Sequence, residues 1–249
     1  MEMTNELRRR KMWRTAAVFA VVIVALCLCA PDAGWAAPGG MVKAAARSTI
    51  GKIFFALLVI VLLPVLIYFG VRSARATKHT KADLARLAQT MPQYRWLDIN
   101  DRATAVFSWV WSAWSQQKMD LAKHHTTSWY WQNQQLQLDE WARNGLTNVC
   151  RLIKIETVTP LFVQHNAENG GEGSRVVLDI KARVVDYLED AQGNVVQGDK
   201  TEGDLDTVWT LVWNDGDWKL NKIEDGANEL TYLFAPNEVP QAVGQKVAV

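Results

Sequence analysis

Apolar positions between Ala105 and Asn148 recur at helical spacing. Phe107, Val110, Trp111 and Trp114 fall at i, i+3, i+4 and i+7, and Trp131, Leu138, Trp141 and Ala142 mark a second stripe. The spacing predicts two amphipathic helices with wide aromatic faces. Asp98 or Asn100 is placed to cap the first, and Thr126, Thr127 or Ser128 the second, with a break near 123–127 and Gly145 at the end. From Leu152 the period falls to two. Residues 152–158 alternate and meet Pro160, which belongs at a strand edge or end. Residues 175–187 alternate again, with Leu178, Ile180, Ala182 and Val184 on one face and Asp179, Lys181 and Arg183 on the other. Asn166 to Ser174, NAENGGEGS, reads as a loop, and Asp190 to Gly193 as a turn. Val195 and Val196 open a third strand, while Trp209, Leu211 and Trp213 share a face of a fourth. Asp215-Gly216, between Trp213 and Trp218, is a two-residue hairpin signal. The expected class is α+β: N-terminal helices packed on a strongly curved antiparallel sheet of four or five strands.

Upstream the pattern changes from periodic to continuous. Arg8, Arg9, Arg10, Lys11 and Arg14 precede the apolar run 16–30, and Gly34-Trp35-Ala36 supplies small residues around a cleavage position. This is the layout of a signal peptide or of a first membrane anchor, residues 1–36. A short external linker, 37–52, follows. Residues 53–71, IFFALLVIVLLPVLIYFGV, carry no charge over nineteen positions. At about 1.5 Å per residue that length crosses a hydrocarbon layer of about 30 Å, so a transmembrane helix is expected. Arg72, Arg75, Lys78, Lys81 and Arg86 follow the span, against Lys43, Arg47 and Lys52 before it. The bias places the C-terminal domain on the cytoplasmic side of the membrane. Residues 72–96 are then a basic juxtamembrane linker or helix, 97–234 the domain and 235–249 a flexible tail.

Composition narrows the function classes. The 249 residues carry a net charge of +1, with 27 basic and 26 acidic side chains, so no overall field draws in nucleic acid. Cys27 and Cys29 lie in the first apolar run and Cys150 stands alone, which excludes a disulfide framework in the domain. No catalytic signature occurs, so neither enzymatic chemistry nor a cofactor is expected. His124-His125 with Asp120 resembles a metal set only loosely, because adjacent helical side chains diverge by about 100°; a polar helix junction is the plainer reading. Asp186, Tyr187, Glu189 and Asp190 supply a general base only if one carboxyl is buried against an apolar wall. Otherwise they are hairpin residues. Glu202, Asp204 and Asp206 lack the spacing and glycine of a calcium loop.

The tryptophans are the sharpest feature, six of twelve lying at positions 109, 111, 114, 129, 131 and 141. Phe107, Val110, Trp111, Trp114, Trp131, Leu138, Trp141, Trp209 and Trp213 are expected to face inward, as core and as the lining of an apolar pocket. Trp109 and Trp129 are out of phase with those stripes. Together with Arg72, Arg75, Lys78 and Lys81 they form the expected contact set for anionic membrane lipid or a protein partner.

A dispersed set of residues adds a family resemblance: Phe107, Ala113-Trp114, Asp120-Leu121, Gly145, Asn148, Ile153, Ile155, Val158, Asp186-Tyr187, the segment from Gly193 to Gly198, Trp209-Thr210-Leu211, Gly216, Trp218 and Leu220. This run, over about Leu97 to Leu230, resembles the Tim-forty-four-like domain, named for the membrane-bound subunit of the mitochondrial import motor. The resemblance implies a cone-like fold similar to the nuclear transport factor two superfamily, with an apolar pocket between helices and sheet. It also implies a non-enzymatic adaptor at a bacterial inner membrane that binds anionic lipid such as cardiolipin or a membrane or translocation protein, with self-association left open. Two features depart from the family. Only residues 73–95 separate span from domain, too little for a long chaperone-docking region, and the extra tryptophans enlarge the aromatic surface. Two alternatives remain: a periplasmic scaffold of a secretion system with the same cone fold and opposite orientation, and an enzyme of the same superfamily.

Overall fold

The computed structural model describes residues 49–168 and 170–240. The expected signal peptide or anchor, residues 37–48 of the external linker, and residues 241–249 of the expected tail lie outside them. The chain divides into two units, Met1–Ser73 and Ala74–Val249. Helix α1, Thr49–Leu87, supplies the described part of the first unit, with Pro64 inside it. The expected span at 53–71 lies in this helix, but the side chains of residues 53–58 and 61 are outside the described set. Among the described residues no helix is long and apolar enough to cross a membrane.

The second unit begins inside what was expected to be a linker. Thr80, Leu84 and Leu87 are buried, at i, i+4 and i+7 on one face of α1. The helix stops there because Pro92 lies ahead, and a 3-10 turn at Pro92–Tyr94 buries the Tyr94 ring. Helix α2, Trp96–Ser115, buries Ile99, Ala103, Val106, Phe107, Val110 and Ala113, the stripe that the periodicity predicts. Its start differs from expectation. Arg95 occupies the cap position without a side-chain capping bond, and Asp98 pairs with Arg95 Nη2 at 2.8 Å, inside the first turn. A crossing segment with a 3-10 turn at Met119–Ala122 leads to α3, Ser128–Arg143. Thr127 caps α3 by accepting from the Tyr130 amide at 3.3 Å, and Gly145 follows the helix with φ of +69°.

Four strands follow: β1, Leu146–Gln164; β2, Arg175–Asp190; β3, Val195–Asn214; and β4, Asp217–Asp225. They form one antiparallel sheet in the order β1-β2-β3-β4. The fold is therefore helices packed on a four-stranded antiparallel sheet. Pro160 lies within edge strand β1, beside a register shift between Pro160 and Phe162, where its missing N–H costs no ladder bond. Asp215 and Gly216, with φ of +53° and +75°, make the expected hairpin, and Trp213 pairs with Trp218.

The third and fourth expected strands are one strand, β3. Val184 pairs with Gly203 and Asp186 with Asp199, so Lys200, Thr201 and Glu202 bulge opposite Val185 alone. That polar bulge interrupts the alternation and imitates a turn. Gly198 is needed beside it: its φ is +83°, and a Cβ there would stand 2.3 Å from the Asp186 carbonyl oxygen.

Both faces of the sheet are used. The inner row Val176, Leu178, Ile180, Ala182 and Val184 joins Trp209, Leu211, Trp218 and Leu220 in the main core against α1, α2 and α3. A smaller outer cluster, Leu161, Phe162, Val177 and Val208, is covered by Tyr232 of α4, Glu229–Phe234. The sheet edges are also engaged. The Thr127 amide donates to Leu220 O at 2.8 Å on β4, and the His165 amide donates to Glu238 O at 2.9 Å beyond β1. Residues 235–240 are thus tied to the domain: Asn237 Nδ2 donates to Asp83 Oδ2 at 2.8 Å, its Oδ1 accepts from the Val163 amide at 3.1 Å, and Thr80 donates to Leu161 O at 3.0 Å.

Because Leu84 is core, Leu84→Ala is predicted to destabilise the domain by about 2–5 kcal/mol, while Ala85→Ser on the exposed side stays within about 0.5 kcal/mol. Urea denaturation of the detergent-solubilised chain checks this. Equal midpoints for both variants would return residues 80–87 to the status of a linker.

Candidate functional site

The nine residues expected to face inward all join one hydrophobic cluster. Phe107, Val110, Leu138 and Trp209 are buried, and Trp111, Trp114, Trp131, Trp141 and Trp213 are half-buried against them. Their rings largely fill each other's space. Phe107 stacks on Trp111 at 5.2 Å between centroids and on Trp209 at 4.7 Å, Trp114 lies 5.7 Å from Trp141, and Trp218 lies 5.3 Å from Trp213 and 5.7 Å from Tyr94. Trp209 Nε1 donates to Thr207 Oγ1 at 3.0 Å, so its polar edge is satisfied within the core. These contacts give the aromatic residues a packing role.

The expected contact set is on the surface. Arg72, Arg75, Lys78 and Lys81 are exposed on α1. In the second unit, Arg75, Lys78, His79 and Ala82 line a shallow open depression. Lys81 Nζ sits 5.4 Å over the Trp96 ring, so the stripe ends in a cation–π contact. Trp129 is 61% exposed and Trp109 48% exposed. Trp109 is nevertheless held in place, stacked on His125 at 5.1 Å with 16° between planes.

His125 shows what the paired histidines do. Arg102 Nη1 lies 2.9 Å from His125 Nδ1, and because a guanidinium only donates, that ring nitrogen accepts. The same guanidinium donates from Nε to Trp218 O at 2.9 Å and pairs through Nη2 with Asp217 Oδ2 at 2.7 Å. Burial first, then the Arg102 charge, holds the His125 pKa below its ordinary value. His125 is thus a neutral link between α2 and β4 that seats Trp109, while His124 is exposed. Among the described residues no three His, Cys, Asp or Glu side chains gather to hold a metal. Arg102 and Asp217 were not among the expected residues, since a pair 115 positions apart has no local signal.

The acidic candidates separate by environment. Asp190 is a turn residue: its Oδ2 accepts from Asn194 Nδ2 at 3.0 Å and its Oδ1 from the Asn194 and Gln192 amides at 2.8 and 2.9 Å, bonds that hold its pKa low. Tyr187 lies under Lys200 Nζ at 5.3 Å, and Glu189 pairs with the same ammonium at 3.4 Å. Asp186 pairs with Cys150 across the β1–β2 ladder, and desolvation pushes its carboxyl up to about 6 although the residue is exposed. Cys150 is buried, its thiol raised to about 12 by desolvation first and Asp186 second, which leaves it unreactive. Glu202 and Asp204 are exposed, but Asp206 is half-buried beside Asp179, a neighbour that the alternation places on the solvent face.

No family model matches the chain, and no curated protein matches it. Among solved structures, the intermembrane space region of the chloroplast protein ARC6 is similar over 50% of this chain and 94% of that one, at 13% identity and a TM-score of 0.38.

Phe107→Ala is predicted to cost about 3–5 kcal/mol because the ring is enclosed on both faces, whereas Trp129→Ala changes stability by no more than about 0.5 kcal/mol. Thermal unfolding of the two variants distinguishes them. A large loss in Trp129→Ala would place that ring in the core.

Proposed function

We propose that the protein is a membrane-anchored, non-enzymatic adaptor that binds anionic lipid and, through it, works beside a membrane-protein partner in translocation or membrane biogenesis. The observation that carries this reading is the change in surface along α1. Ile60, Leu63, Val65, Leu66, Ile67, Tyr68, Phe69 and Val71 all expose apolar side chains. At about 100° per residue, the consecutive positions 65–69 cover every side of the helix, which water disfavours and hydrocarbon accepts. From Arg72 onward the exposed long side chains are cationic: Arg72, Arg75, Lys78 and Lys81. Because Thr80, Leu84 and Leu87 are buried on the opposite face, the cations at 75, 78 and 81 are fixed to the folded unit and meet a surface as a set.

Residues 53–71 are, in this proposal, a single membrane span. The flanking charges put the domain on the cytoplasmic face of the inner membrane. The Tim-forty-four-like resemblance belongs to the same proposal. Three register shifts between β1 and β2 and two between β2 and β3 bend long strands, which supports a cone-like curvature around the helices. The internal stacking of Phe107 between Trp111 and Trp209 supports a binding role at the surface in preference to a reaction in the interior.

Two measurements test the reading. A C-terminal fluorescent fusion that matures only inside the cell is predicted to shine, and a phosphatase fusion active only after export to stay silent; the reverse would favour the periplasmic scaffold. Each basic side chain near an anionic bilayer contributes about 1 kcal/mol, so Arg75→Gln with Lys78→Gln is predicted to weaken binding of the isolated unit to cardiolipin vesicles roughly 30-fold. Binding unchanged by both substitutions would remove α1 from the lipid surface.

A further inference from the structure

The outer face of the sheet holds two neighbouring carboxyls, Asp179 and Asp206, one of them buried. Asp179 on β2 is only 4% exposed, and its Oδ1 is buried with no hydrogen-bond partner. On β3, Asp206 stands diagonally across from it, since Lys181 pairs with Asp206 and Asp179 with Val208 in the ladder. Among the described residues the cation paired with both is Lys181, half-exposed, its Nζ 3.9 Å from Asp179 Oδ2 and 3.8 Å from Asp206 Oδ2.

The remaining neighbours add negative charge or none. Strand β1 presents Thr157 and Thr159 opposite Lys181 and Asp179. Asp225, at the end of β4, spends Oδ1 on the Ala227 amide at 2.7 Å and keeps Oδ2 buried without a partner. Glu229, which opens α4, adds to the negative field at Asp179. Further along, Arg183 is shared between Asp204 at 3.6 Å and Glu156 at 4.0 Å, and Lys222 is held by Glu224 at 3.0 Å. Two carboxyls side by side in so dry a place cannot both ionise at low cost, and one proton shared between them removes the conflict.

The acid pair lies directly beneath the segment that closes the outer face. Gly226 begins the 3-10 turn Gly226–Asn228, and a Cβ on it would stand 2.4 Å from Asp206 Oδ1 and 2.7 Å from the Asp206 carbonyl oxygen. Beyond the turn, α4 sets Tyr232 over the outer cluster, its ring 6.1 Å from that of Phe162. We propose that Asp179 and Asp206 form a proton-operated latch for the cover Gly226–Phe234. With one proton shared, the turn seats on Asp206; when the proton leaves to solvent, repulsion among Asp179, Asp206, Asp225 and Glu229 lifts the turn and bares Phe162, Val177 and Val208. The direction follows from where the proton binds more tightly. Desolvation first, then Asp206, hold the Asp179 carboxyl at about 7 in the closed form against an ordinary 3.8. Acid therefore favours closure, and closure is lost as pH rises through about 7. The latch is independent of the lipid-binding proposal, because the basic stripe on α1 takes no part in it.

Hydrogen–deuterium exchange on the full chain in detergent micelles, corrected for the intrinsic pH dependence of exchange, tests the latch. In the wild type, protection of amides 226–234 relative to those of β2 is expected to fall up to tenfold per unit between about pH 4 and about pH 7 and to level off above that. In Asp179→Asn, whose amide cannot ionise, the fall is expected to vanish. Should that variant fail to fold, Asp206→Asn serves the same purpose, and a carboxylic-acid carbonyl band that disappears over the same pH range in wild-type infrared difference spectra gives a second reading. Flat wild-type protection, a slope unchanged in the folded variants, or absence of that band would overturn the proposal.

Discussion

Phe107 lies with one face on Trp111 of its own helix and the other on Trp209 of β3, so a single ring joins the helical layer to the sheet. Everything inward depends on that sandwich. Trp209 is fully buried toward the end of its strand, and the rows of β2 on one side and β4 on the other pack around it. Offset and edge-on aromatic pairs add directional preference to area burial, which favours one rotation of α2 over its neighbours. That rotation puts Val110 and Ala113 inside, turns Trp109 outward onto His125, and directs Arg102 toward Asp217.

Much of this order is present in the local pattern. The stripe Phe107, Val110, Trp111 and Trp114, the cap at Thr127, the stop at Gly145 and the Asp215-Gly216 hairpin are each decided by neighbours within a few positions, and each occurs where the pattern puts it. The misread places share a different cause. Asp179 alternates like a solvent-facing residue and is buried, because α4 arrives from fifty positions downstream to cover it. The bulge at residues 200–202 imitates a turn, because only the register with β2 shows the strand continuing. The spacing of Thr80, Leu84 and Leu87 is helical, yet the polar residues between them resemble a solvated flank until β1 and Asn237 are brought against it.

The surface cations sort by what anchors them. Lys154, Lys181, Arg183 and Lys222 lie in ion pairs along the sheet, where each exposed pair contributes little stability. Arg102 is the exception, shielded and bound through three nitrogens to a carbonyl, an imidazole and a carboxylate. A lysine in its place would lose the fork that reaches all three at once. The exposed Trp109 owes its fixed attitude to that fork, because Arg102 holds the imidazole on which the indole stacks.

Asn237 bridges Thr80 and Asp83 on α1 while accepting from Val163 on β1. The first helix of the domain and its last described segment are thereby fastened at one point. Tension between those two segments would act on this knot and leave the β2–β3 ladder unloaded. The domain is in that respect a buckle, fastened where its first helix meets its last described segment.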